Sequence, residues 1–120
     1  KELCKCSTIE NRIDIECSKK QNKSVFPNLD NYFDYKNFNS FKINNKQYSR
    51  IPDFAFQSFK IKHLDLSNNQ IEFIEPNAFY GLESNLNSLV LSYNRLNSIS
   101  FNLSLLINLN DLKINNNALE

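Results

Sequence analysis

Four blocks of the chain superimpose on one another, and no other feature limits the fold so tightly. Phe38-Asn-Ser-Phe41-Lys-Ile43, Ile61-Lys-His-Leu64-Asp-Leu66, Leu86-Asn-Ser-Leu89-Val-Leu91 and Leu109-Asn-Asp-Leu112-Lys-Ile114 begin 23, 25 and 23 residues apart. Each block is apolar at its first, fourth and sixth positions. Asn69, Asn94 and Asn117 follow three residues later, where the first block has Lys46, and an apolar residue comes two further on at Tyr48, Ile71, Leu96 and Leu119. Ile51, Ile74 and Ile99 extend the match, as do the pairs Phe56 with Phe59 and Phe79 with Leu82, again 23 apart. A fixed period in this range marks a stack of repeated units, in which no unit can bury its own apolar side alone.

The apolar alternation at the fourth and sixth positions is the signature of a short strand. If each unit makes one coil, the strands align in parallel about 4.8 Å apart on one face, and the apolar positions of all coils meet inside. A chain turning away from a strand within a coil leaves backbone groups unpaired. A buried Asn, with two donors and an acceptor on its side chain, can satisfy them in the neighbouring coil. Lys46 cannot do this equally well, so the first coil is expected to be irregular.

The pattern Leu-x-x-Leu-x-Leu-x-x-Asn-x-Leu, with Glu75-Pro-Asn-Ala-Phe-Tyr-Gly-Leu82 downstream, resembles the extracellular leucine-rich repeats of animals over about residues 38 to 120. The resemblance implies an α/β solenoid-like stack with a parallel β-ribbon on its concave face, a mostly irregular or short-helical convex side, and an N-terminal disulfide cap. Residues 1–37 are then the cap and connecting segment. About four repeats follow, at 38–60, 61–85, 86–108 and an incomplete 109–120. The third unit departs from the pattern, since Phe101 to Ile107 lacks the Ala-Phe-x-x-Leu arrangement, and Ser84-Asn85 lengthens the second coil.

Cys4-x-Cys6 and Cys17 precede the repeats, and Ile13-Asp-Ile15-Glu-Cys17 alternates as a strand does. Three thiols are compatible with a disulfide cap, with a Cys-based metal site that only the distant His63 could join, or with a reactive free thiol beside Lys1 and Lys5. The family resemblance favours the cap: it implies a pairing of Cys4 with Cys17 and of Cys6 with a Cys upstream of Lys1. A chain with no Met is expected to be a processed product or the N-terminal portion of a longer ectodomain, attached to a membrane, if at all, through a segment outside it. Two acceptor tripeptides for N-linked glycosylation, Asn22-Lys-Ser24 and Asn102-Leu-Ser104, agree with an extracellular, secreted or cell-surface setting.

Composition removes other functions. A single Gly, at position 81, cannot build a phosphate-cradling loop or a dinucleotide fingerprint. A single His leaves no His-rich metal centre, and neither a metal nor another cofactor is expected. Residues 1–60 carry 11 Lys+Arg against 7 Asp+Glu and residues 61–120 carry 3 against 6, so the halves are +4 and −3. That mild, scattered charge argues against a nucleic-acid partner.

Between the core positions of a parallel ribbon, side chains point outward in columns. The columns here are Ser40, His63, Ser88 and Asp111; Lys42, Asp65, Val90 and Lys113; Asn44, Ser67, Ser92 and Asn115; and Asn45, Asn68, Tyr93 and Asn116. The surface is polar, with one apolar and aromatic spot at Val90 and Tyr93 that suits a protein ligand. Asp65, His63 and Ser40 or Ser88 share the face, but a flat ribbon offers neither oxyanion hole nor closed cleft, so neither catalysis nor a small-molecule substrate is expected. The sequence therefore predicts a non-enzymatic interaction module of adhesion, guidance or receptor type, with Lys42, His63, Asp65, Ser88, Val90, Tyr93, Asp111 and Lys113 as the binding surface. Alternatives implied by the resemblance are a Toll-type pattern receptor and a secreted accessory chain similar to the non-catalytic leucine-rich repeat subunit of crustacean luciferase.

Overall fold

The computed structural model describes the backbone of residues 4–9 and 12–17, and residues 26, 37–43 and 48–119 with their side chains. Asn22, Asn44, Asn45 and Lys46 lie outside the described residues, and with them the expectation of an irregular first corner. An N-terminal hairpin of β1 (Cys4–Ile9) and β2 (Arg12–Cys17) opens a six-stranded sheet. It continues through β3 (Asn37–Ile43), β5 (Lys60–Asp65), β7 (Ser88–Val90) and β8 (Asp111–Lys113). Among the described strands of this sheet only the β1/β2 pair is antiparallel; every later neighbour is parallel. Parallel neighbours need a long return between them, and the period of 23 to 25 residues supplies it as one coil per repeat.

The register matches the repeat residue for residue. Phe41 faces Leu64, Leu64 faces Leu89, and Leu89 faces Leu112, so equal positions of successive units form continuous apolar rows. Leu64, Leu66, Leu89 and Leu91 are fully buried, together with Ile71, Ile74, Leu82 and Leu86 from the corners and returns. Each such side chain contributes roughly 1.5–3 kcal/mol by leaving water. In the fourth unit Leu109, Leu112, Ile114 and Leu119 are only partly buried, because β8 pairs on one side alone among the described strands.

A second ladder was not anticipated from the pattern. β4 (Arg50–Ile51) and β6 (Phe73–Ile74) pair in parallel on the far side of the corners, with Ile51 opposite Ile74. The convex returns beyond it are turns at 53–58 and 76–81 and a 3-10 turn at Leu103–Leu105. An aromatic spine runs under them. Phe26 meets Phe56 at 5.8 Å between ring centroids, Phe56 stacks on Phe79 at 6.3 Å, and Phe79 meets Phe101 edge-on at 5.0 Å. The third return thus keeps its place in the spine despite its divergent sequence: a shorter path seats Phe101 and Leu106 where strict alignment would put Ser104 and Ile107.

Candidate functional site

The corner after each strand fixes the rim of the concave face. Asn69 Nδ2 donates to Ile43 O of the preceding coil at 2.9 Å and to Leu66 O and Ser67 O of its own at 2.8 and 3.2 Å. Asn94 repeats this with Leu66 O, Leu91 O and Ser92 O, and Asn117 with Leu91 O, Ile114 O and Asn115 O. The amide oxygens of Asn94 and Asn117 accept from Ile71 N–H and Leu96 N–H, both at 3.0 Å. These bonds pair backbone groups that burial would otherwise leave costly, at about 1–3 kcal/mol each.

One residue before each of these amides the backbone turns left-handed. Asn68, Tyr93 and Asn116 have φ of 60°, 59° and 61°. Asn tolerates this region because its short polar side chain bonds locally, whereas a bulky residue there is strained by roughly 1 kcal/mol or more. Tyr93 takes the strained conformation and still leaves its side chain 55% exposed. Gln70, Arg95 and Asn116 border the same shallow groove as Tyr93, which adds two residues that the column reading did not include. The signal for them was present, since they directly follow the recurrent Asn.

Sheet register brings the other candidates together as expected of a ribbon. Ser40, His63, Ser88 and Asp111 form one row, and Lys42, Asp65, Val90 and Lys113 the next. His63, Asp111 and Lys113 are exposed and the others half-buried. Two parts of the outward-facing column reading are corrected. Ser67 and Ser92 are buried, at 8% and 5% exposure, and their hydroxyls donate to Asp65 Oδ1 and Asn115 Oδ1, each at 2.6 Å. Asp65 also accepts from Ser67 N–H at 2.9 Å, so its carboxylate is engaged in closing the strand end. The charges that remain free of such bonds are of both signs, with Lys113 and Asp111 4.0 Å apart at the surface; an exposed pair of this kind is worth little. Among the described residues, no three His, Cys, Asp or Glu side chains gather as metal ligands would.

In the N-terminal hairpin, register places Cys4 directly opposite Cys17, while Cys6 faces Ile15. Directly opposed residues of an antiparallel pair have Cα atoms about 4.5–5.5 Å apart, within the range a disulfide spans.

Coil-per-repeat geometry, the parallel ribbon and the Asn-bonded corners define a solenoid of repeated parallel strands. A sequence model described as leucine rich repeat matches residues 36–96. The chain belongs to the leucine-rich repeat family, whose domains generally serve as protein-interaction modules. Leucine-rich repeat-containing protein 3 of Danio rerio is 28% identical over 97 residues, covering 80% of this chain and 35% of that protein. Leucine-rich repeat-containing protein 3B of Danio rerio is 29% identical over 100 residues, covering 80% of this chain and 37% of that protein. The chain therefore spans little more than a third of the length of these curated relatives. No solved structure matches it.

Proposed function

We propose that this chain is a non-enzymatic binding module of a secreted or cell-surface protein of adhesion, guidance or receptor type, and that it holds a partner protein on its concave face around Tyr93. The observation that carries this reading is the left-handed backbone of Tyr93 beneath an exposed ring. Such a residue costs its own coil stability and gains little packing in return. A contact outside the chain accounts for it, because Tyr supplies a large, rigid contact area at low entropic cost. Val90 beside it adds an apolar patch, and Lys113 and His63 provide a polar rim of the kind that surrounds such anchors. The facing of Cys4 and Cys17 supports the extracellular part, since a bridge there persists only in an oxidising compartment.

The test is a multivalent form of the chain screened against an array of secreted and cell-surface ectodomains. A partner should bind at least about thirtyfold more weakly to Tyr93→Ala, the loss expected of an anchor residue, and several-fold more weakly to Lys113→Glu, with thermal unfolding of both variants intact. Binding that survives both changes and is abolished by Tyr80→Glu on the convex side would remove the concave reading. Peptide mapping without reductant checks the compartment independently: a Cys4–Cys17 bridged peptide is expected, and two free thiols in the secreted protein would break that part.

A further inference from the structure

The convex side carries an apolar strip that the binding face does not use. Phe54 and Tyr80 meet edge-on at 5.4 Å between centroids, and Tyr80 remains 54% exposed. One coil further along the stack, Leu105 is 53% exposed. Between Tyr80 and Leu105 lies a shallow cleft with Asn77 and Glu83 on its rim, and Asn102 completes that rim. The cleft encloses only about 40 Å³, room for a few water molecules. A free small ligand would bury too little surface there to bind well, whereas a group tethered at the rim needs no affinity of its own.

Asn102 can supply that tether. It opens the acceptor tripeptide Asn102-Leu103-Ser104 and is exposed. Its Oδ1 accepts from Ser104 N–H at 3.1 Å and from Ser104 Oγ at 2.6 Å, while its Nδ2 bonds to no described residue. The geometry points to Asn102 as the attachment site of an N-linked sugar whose first residue lies across the mouth of this cleft, its apolar ring face on Tyr80 and Leu105. Asn77 and Glu83 stand where sugar hydroxyls need hydrogen-bond partners. The aliphatic C–H face of a pyranose meets the negative face of the Tyr80 ring favourably. In the attachment, Asn102 Nδ2 bonds to C1 of the sugar of a lipid-diphosphate-linked oligosaccharide. The C1–O bond breaks, the lipid diphosphate leaves with the electron pair, and one amide proton passes to a base. The sugar then covers the convex strip and leaves the concave face open to a protein. This inference rests on the secretory setting proposed above.

The chain, carried through the secretory pathway of a eukaryotic host by a heterologous leader, is mapped for N-glycans and trimmed to a single N-acetylglucosamine. Its midpoint of thermal unfolding is compared with that of Ser104→Ala, which lacks the acceptor, in both the Tyr80 and the Tyr80→Ala backgrounds. Occupied Asn102 is expected, with a sugar-dependent gain of about 3 °C that vanishes in Tyr80→Ala; for a domain of this size that is a fraction of a kcal/mol. Because the loss of the Ser104 Oγ bond to Asn102 Oδ1 enters both backgrounds equally, the difference isolates the sugar contact. Tyr80→Leu, which keeps apolar area without the ring, should retain only part of the gain. A glycan on Asn102 with equal gains in both backgrounds overturns the seating, and an unmodified Asn102 beside a glycosylated Asn22 overturns the site. Both results leave the secretory setting standing. Finding the natural protein confined to the cytosol overturns the setting and this inference together.

Discussion

The corners and the convex returns solve the same problem, turning the chain back to start another strand, and they do it under opposite rules. In the corners at 66–71, 91–96 and 114–119 the same amide makes the same three donor bonds, with the bond to the preceding coil at 2.9 Å each time. The returns have no such side-chain amide in common: the first two close through backbone turn bonds, Phe59 N–H to Phe56 O and Leu82 N–H to Phe79 O, and the third is a 3-10 turn of different length. What they share is a buried ring, Phe56, Phe79 or Phe101, in a common spine. A corner is specified by hydrogen-bonding groups at fixed positions and admits one residue type. A return is specified by the volume delivered to the core, which several sequences can supply.

The largest effect should come from breaking a corner. Asn94→Ala leaves Ile71 N–H without its acceptor in the interior and removes one of the two side-chain donors to Leu66 O and to Leu91 O, which keep Asn69 and Asn117, and the loss expected in equilibrium urea unfolding is about 3 kcal/mol. Asn117→Ala, in a corner only partly buried, should cost about 1–2 kcal/mol, and equal losses at the two sites would show that burial is not what makes the amide matter. Next comes a point at which a return is as strict as a corner. Gly81 has φ of 99°, and a Cβ there would lie 2.6 Å from Gln57 O of the preceding return. Gly81→Ala is therefore expected to cost about 2–3 kcal/mol by the same measurement, and a loss below half a kcal/mol would mean that the returns can slide past each other. The smallest effect has the opposite sign. Tyr93→Asn restores the residue found at Asn68 and Asn116 and should stabilise the domain by about 1 kcal/mol, read as a rise in the unfolding midpoint. A fall would show that the ring supports its own coil instead of serving a partner.

Much of the stack was legible because its determinants recur. Leu64, Leu89 and Leu112 stand at equal offsets, and such rows have one physical solution, parallel strands in register. The bonding amides Asn69, Asn94 and Asn117 were legible for the same reason. Besides the β4/β6 ladder, three features were not read. Ser67 and Ser92 look like surface residues by position alone, and the bonds that occupy their hydroxyls, to Asp65 Oδ1 and Asn115 Oδ1, depend on the geometry at the strand ends. Phe101 falls out of register with Phe79, and its place in the spine depends on a return path that periodicity does not encode. The strain at Tyr93 was readable in principle, since Asn at 45, 68 and 116 is the residue most tolerant of a left-handed turn, and one aromatic in that series is the exception. Of the candidate site, the rows of the ribbon followed from the repeat, whereas the engagement of Asp65 and the nearness of Gln70 and Arg95 to Tyr93 needed the corner geometry.

The bonds of the corner amides also have a direction. Asn94 reaches back to Leu66 O and Ile71 N–H, and Asn117 reaches back to Leu91 O and Leu96 N–H, so each coil has its buried groups met by the coil made after it. A ribosome delivers the coils in that same order. Every unit thus waits, incomplete, until its successor has been synthesised, and order in this stack is sealed from behind as the chain grows. The amide of Leu96, closed by a half-buried partner, should accordingly exchange with solvent before that of Ile71, whose partner is buried.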